Sequence, residues 1–165
     1  MMKKVSFPGA RQLLFAFLMA TLGLLTTACG KDPAPDDEAI IKKYIADNKI
    51  TNAQRQSSGL YYVPVTSNPS GVQATAGKKV SVLYTGTFLD GKVFDASSMH
   101  GNTPIEFVLG ARQVIAGWDE GIALMHKGEK SILLIPSALG YGASGRSSIP
   151  PNTVLRFDVE LVDVK

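Results

Sequence analysis

The segment Val108-Leu109-Gly110-Ala111-Arg112-Gln113-Val114-Ile115-Ala116-Gly117-Trp118-Asp119-Glu120-Gly121 constrains the fold more than any other part of the chain. It sets the only tryptophan on a short helix-like stretch between Gly117 and Gly121, just after the apolar pair Val114-Ile115. A lone tryptophan in a small α+β domain is usually a core residue. Here the strand-like runs on either side carry Tyr84, Phe94, Phe107, Tyr141 and Phe157, so these rings fall within reach of one small sheet. An aromatic concavity is the expected form of a site for an apolar ligand or a peptide side chain, with Trp118 as its candidate floor.

The strands around that segment are legible from alternation and turn chemistry. Leu60–Val65 contains Pro64 and reads as an edge or entry strand. Lys79–Leu89 alternates as a half-buried strand, and Asp90-Gly91 signals a hairpin returning through Lys92-Val93-Phe94-Asp95. Further strands are predicted at Ile105–Leu109, Lys130–Ile135 and Val154–Val164. The sum is an α+β domain: a five- to six-stranded antiparallel sheet curved around one short helix. Ser97–Asn102 and Ser137–Asn152 are loops, the latter placing Tyr141 and Ile149 on the rim of the concavity.

The start of the chain is different in kind. Met1–Arg11 is basic and Gln12–Leu25 apolar, a secretory signal in form and too short for a comfortable span. Small residues then lead to the single cysteine in Leu25-Thr26-Thr27-Ala28-Cys29-Gly30, which resembles a bacterial lipobox with Thr26 where leucine is usual. Lipidation of Cys29 would anchor the chain, each buried methylene adding about 0.8 kcal/mol. By resemblance to the sorting pattern of enteric lipoproteins, Gly30 rather than aspartate after the cysteine favours the outer membrane. Lys31–Asp37 reads as an extended tether. Asp36-Asp37-Glu38 then open a short helix whose apolar face is Ile40, Ile41, Tyr44 and Ile45, expected to lie on the domain. The predicted organisation is a signal peptide at 1–28, a lipid-anchored tether and helix at 29–58, and a domain at 59–165.

Charge and composition exclude several classes. Of 17 basic and 14 acidic residues, Lys3, Lys4 and Arg11 fall in the leader, so the chain from Cys29 carries fourteen of each. There is no basic stripe for nucleic acid. His100 and His126 stand apart without a second ligand at useful spacing, so no metal site is expected. No cofactor is expected either: Gly140-x-Gly142-x-x-Gly145 follows no βα crossover and is not a dinucleotide fingerprint. No Gly-x-Ser-x-Gly elbow is present, which argues against a hydrolase.

Several motifs in register carry a family resemblance. Val82-Leu83-Tyr84-Thr85-Gly86, Asp90-Gly91-Lys92-Val93-Phe94-Asp95, Val114-Ile115-Ala116-Gly117-Trp118-Asp119-Glu120-Gly121, Tyr141-Gly142, Ile149-Pro150-Pro151-Asn152 and Phe157-Asp158-Val159-Glu160-Leu161 together resemble the FKBP-type peptidyl-prolyl cis-trans isomerases. The resemblance covers essentially all of 59–165, and with Cys29 it suggests a lipoprotein member of the bacterial envelope. It implies isomerisation of X–Pro bonds, with a proline-segment binding module or holdase as the alternative. It assigns Asp95, Tyr141, Tyr84 and Ile115 to catalysis, and Phe94, Phe107, Val114, Trp118, Ile149 and Phe157 to substrate binding. Trp118 would underlie the proline ring, while the Ile115 N–H and the Tyr141 hydroxyl would hold peptide carbonyls. The implied partners are proline-containing polypeptides, with macrolides as candidate inhibitors, and the implied state is a monomer. Two departures stand out: the loop Ala96–Asn102 offers no Arg or Lys to pair with Asp95, which implies a loosely held carboxylate, and Gln113 stands where an acid is common.

Overall fold

The computed structural model describes residues 36–165. The leader, Cys29 and the tether as far as Pro35 lie outside the described residues. Among the described residues no helix is long and apolar enough to cross a membrane.

Seven strands form one antiparallel sheet: β1 (Gln54–Arg55), β2 (Tyr61–Thr66), β3 (Lys79–Thr87), β4 (Val93–Ala96), β5 (Ile105–Val108), β6 (Lys130–Ile135) and β7 (Leu155–Val164). Their order is β1-β2-β6-β7-β3-β4, with β5 also paired to β3. The count exceeds the predicted five or six because of β1, whose two exposed residues carry no alternation to read. Pro64 falls at a register shift on β2, a strand flanked on its outer side only by β1.

Alternation decides which side chains meet the helix. Along β7, Leu155, Phe157, Val159 and Leu161 are buried and the residues between them are more exposed. They join Val80 and Val82 of β3 and Leu133 and Ile135 of β6 under helix α2 (Ala116–Ala123), which contributes Trp118 and Ile122. The helix can press this close because two of its residues lack side chains. A Cβ at Gly117 would stand 2.6 Å from Ile135 Cγ2, and one at Gly121 would stand 2.7 Å from Leu133. Burying side chains of this size stabilises the fold by about 1.5–3 kcal/mol each.

Helix α1 (Asp37–Asp47) lies on the opposite face of the sheet. The Asp36 carboxylate accepts from the Glu38 N–H at 3.0 Å and caps it. Ile41 is fully buried with Tyr61, Leu134 and Val154, and Ile40, Tyr44 and Ile45 pack around that cluster. Asp37 reaches further, accepting from both the backbone N–H and the hydroxyl of Ser137 at 2.7 and 2.6 Å.

Candidate active site

β3 carries the centre of the site because its outer edge is shared. Lys79–Val82 pair with β5 and Thr85–Thr87 pair with β4, leaving Tyr84 between the two partners. The hydroxyl of Ser97 fills the gap by accepting from the Tyr84 N–H at 3.0 Å. Two residues on, Gly86 leaves room for Phe94 and Phe157: a Cβ there would meet both rings at 2.7 Å. The turn that brings Phe94 and Asp95 back beside β3 is closed by Gly91 N–H to Phe88 O at 3.0 Å, with Gly91 at φ 89°.

Trp118 is the floor of a hollow of about 480 Å³. Trp118 is only 4% exposed, yet it lines the cavity. Tyr84 and Phe157 stand edge-on to it at centroid distances of 5.1 and 5.3 Å, and Phe94 is edge-on to Phe157 at 5.5 Å. Ile105, Val114, Ile115 and Tyr141 complete the apolar part of the lining. The Ile115 N–H has no backbone acceptor among the described residues.

Asp95 is held more firmly than the loop sequence implies. Its Oδ2 accepts from the Tyr84 hydroxyl at 2.7 Å, and its Oδ1 accepts from the Ala96 N–H at 2.9 Å and from His100 Nε2 at 2.8 Å. His100 ends a 3₁₀ turn, Ser97–His100, that folds the loop back onto the carboxylate. The expectation of a carboxylate loosely held for want of a basic partner in the loop is therefore corrected: His100 supplies the loop's hydrogen bond to it. Partial burial pushes the Asp95 carboxyl up, but the Tyr84 and His100 hydrogen bonds, the His100 charge and the Ala96 N–H outweigh it. The carboxyl sits below its ordinary range. For Tyr84 the influences run one way, with burial first and the hydrogen bond and charge of Asp95 next, holding its hydroxyl well above the ordinary tyrosine range.

The hollow gathers Tyr84, Phe94, Asp95, Val114, Ile115, Trp118, Tyr141 and Phe157 of the ten predicted site residues. Phe107 and Ile149 are buried and do not line it. Phe107 is 4% exposed and packs behind Trp118 at 6.0 Å, while Ile105, two residues earlier on the same strand face, is 39% exposed and lines the cavity in its place. Period-two alternation cannot choose between 105 and 107, since both point the same way. Arg112, Gln113 and Arg146 also line the rim, and nothing in the sequence pattern placed Arg112 there. The lining has no serine, cysteine, lysine or histidine, so it offers a ring-walled hollow, one ionised carboxylate and a free amide rather than a nucleophile.

Comparison with known proteins gives a consistent result. Residues 71–162 match the family described as FKBP-type peptidyl-prolyl cis-trans isomerase. FK506-binding protein 2 of Candida glabrata is 57% identical over 95 residues, 56% of this chain and 69% of that protein. The FKBP-type peptidyl-prolyl cis-trans isomerase FkpA of Aeromonas hydrophila is 40% identical over 147 residues, and this chain spans 53% of its length. The crystal structure of FkpA from Escherichia coli aligns with a TM-score of 0.70 at 43% identity, covering 80% of this chain and 61% of that one.

Proposed function

The chain belongs to the FKBP-type peptidyl-prolyl cis-trans isomerases, and from that premise we propose that the Trp118 hollow is where it turns X–Pro bonds of extracytoplasmic polypeptides during folding. The supporting observation is the hollow itself, open to the surface and walled by Tyr84, Phe94 and Phe157 above the indole.

Rotation of an X–Pro amide meets a barrier of about 18–20 kcal/mol because conjugation is lost midway. Midway, the carbonyl is less polar than in the planar amide and has less need of water. A dry, ring-lined hollow therefore disfavours the planar form more than the twisted one, and only such differential stabilisation accelerates a reaction. Each ~1.4 kcal/mol gained is tenfold in rate. In this reading Trp118 underlies the proline ring, and the Ile115 N–H and Tyr141 hydroxyl hold the peptide's carbonyls. Asp95, fixed by Tyr84 and His100, supplies a local field and shape, and no proton moves.

The test is a protease-coupled isomerisation assay on Xaa-Pro peptides. Wild-type protein accelerates exchange, and Asp95→Ala and Tyr141→Phe slow it while peptide binding persists. Wild-type protein with no rate above background would leave only a binding role for the hollow. The same hollow is proposed to admit macrolides such as FK506, for which the Candida glabrata relative is named. The setting we propose is a monomer tethered in the bacterial cell envelope, at the outer membrane, through lipid on Cys29. Fatty-acid labelling that disappears in Cys29→Ser supports it, and labelling that persists or never occurs rejects it.

A further inference from the structure

Twisting a prolyl amide in a dry hollow makes no use of the charge on the hollow's rim. Four arginines occur among the described residues. Arg55 grips Glu38 at 2.8 Å and Arg156 grips Asp158 at 2.7 Å. The two without a carboxylate partner among the described residues, Arg112 and Arg146, are the two that line the hollow.

Both are placed by built turns. Arg112 has left-handed backbone, φ 57°, a conformation that a residue with a Cβ adopts only when its surroundings hold it there. Asp119 does so, accepting from the Gly110 N–H at 2.9 Å and the Arg112 N–H at 3.1 Å. Arg146 is closed against Ile149 by reciprocal backbone hydrogen bonds of 2.9 and 2.8 Å, and its guanidinium lies 5.8 Å over the Tyr141 ring. The one carboxylate in the lining, Asp95, has both oxygens engaged within the protein, as described above. Two planar cations therefore face the mouth of the hollow with no anion of the protein spare to answer them, and a guanidinium fork suits a carboxylate.

We propose that the rim selects X–Pro segments with a carboxylate side chain next to the proline, and that Arg112 and Arg146 are specificity-determining residues. This rests on the reading of the hollow as the isomerase site. The pairs are solvent-exposed, so the selection is modest and screened by salt.

The experiment measures kcat/KM of the purified full chain on two matched peptide pairs, Glu against Gln immediately before the proline and Glu against Gln immediately after it, with Leu-Pro as reference. At low ionic strength at least one pair favours Glu by about threefold to tenfold, and the ratio falls towards one near 0.5 M salt. In Arg112→Gln/Arg146→Gln the ratio also falls towards one, whatever the absolute rate, and in Arg112→Glu/Arg146→Glu it inverts in favour of Gln. Ratios of one in both pairs, or a preference for Glu that survives salt or the double Gln variant, overturn the proposal. The wild-type salt series decides the matter even if a variant fails to fold. Absence of catalysis on Leu-Pro would remove the isomerase reading and this one together, whereas catalysis on Leu-Pro with ratios of one removes only the charge selection.

Discussion

Gly86→Ala adds a single methyl where two walls of the hollow converge. The new Cβ would lie 2.7 Å from Phe157 Cε1 and from Phe94 Cε2 and Cζ, where relaxed carbon pairs stand about 3.5–4.0 Å apart. Each ring must give way by about 1 Å, and the two are already in edge-to-face contact with each other at 5.5 Å. Gly86 is not among the residues with positive φ, so alanine suits the backbone and gains about 0.4–1 kcal/mol by restricting the unfolded chain. Overpacking costs about 1–3 kcal/mol, so the net expectation is a loss of about 0.5–2 kcal/mol in stability. Catalysis should suffer more, since a wall displaced by about 1 Å can cost up to a hundredfold; we expect kcat/KM to fall by about tenfold to a hundredfold. Urea unfolding followed by the fluorescence of Trp118, the only tryptophan, gives the first quantity, and the protease-coupled assay gives the second. Gly91→Ala is the control. Its Cβ meets nothing within 4 Å, but φ is 89°, so it should lose about 1 kcal/mol of stability and keep the wild-type rate. If Gly86→Ala turns over within twofold of wild type, or Gly91→Ala is equally impaired, the rings do not shape the catalytic hollow as described.

Three further predictions concern polar groups that hold the fold or the site in place. Glu129, 5% exposed, accepts from the Asn68 and His126 N–H groups at 2.7 Å each, so Glu129→Ala should cost about 2–4 kcal/mol in urea unfolding. Burial pushes its carboxyl up but those hydrogen bonds outweigh it and leave the folded-state pKa below the unfolded one. Its contribution is thus complete at neutral pH and is lost as pH falls through the folded value, so acid should narrow the gap between wild type and variant; a constant gap would contradict this. Asp37→Ala removes both acceptor bonds to Ser137 and should cost about 1–2 kcal/mol, with faster amide exchange at Ser137 and in the turn leading to Tyr141; unchanged exchange there would mean that α1 does not hold this turn. His100→Ala and Tyr84→Phe should each raise the Asp95 titration seen by carboxyl-carbon NMR, and no movement in either would show that these contacts do not fix the carboxylate.

The parts of this fold that were legible in the sequence are those set by local pattern. β6 occurs over Lys130–Ile135 as predicted, β7 begins one residue later than predicted, and the Asp90-Gly91 turn returns the chain where its chemistry says it should. The position of Trp118 between two glycines, with aromatic strands on either side, pointed to a ring-floored hollow. What escaped depends on contacts distant in sequence or on fine placement along one strand face. Asp37 and Ser137 are a hundred residues apart, and no periodicity links them. His100 reaches Asp95 only because Ser97–His100 coils into a 3₁₀ turn, which a polar loop of this composition does not announce. Ile105 and Phe107 share a face, and the packing of Trp118 against Phe107 decides which of them stays at the surface. Arg112 reached the rim through a left-handed backbone set by Asp119, seven residues on.

The most direct test of a rotation driven by desolvation, without proton transfer, is the pH dependence of kcat/KM on a Leu-Pro peptide. Asp95 is held below its ordinary range and Tyr84 above its own, so both keep their charge state from about pH 5.5 to 8.5. The contact of His100 with Asp95 is exposed to solvent and should alter the rate by no more than about threefold. The expected profile is flat within that margin. A bell with limbs falling tenfold per pH unit would mean that a proton is transferred in the rate-determining step, and the desolvation mechanism would be wrong.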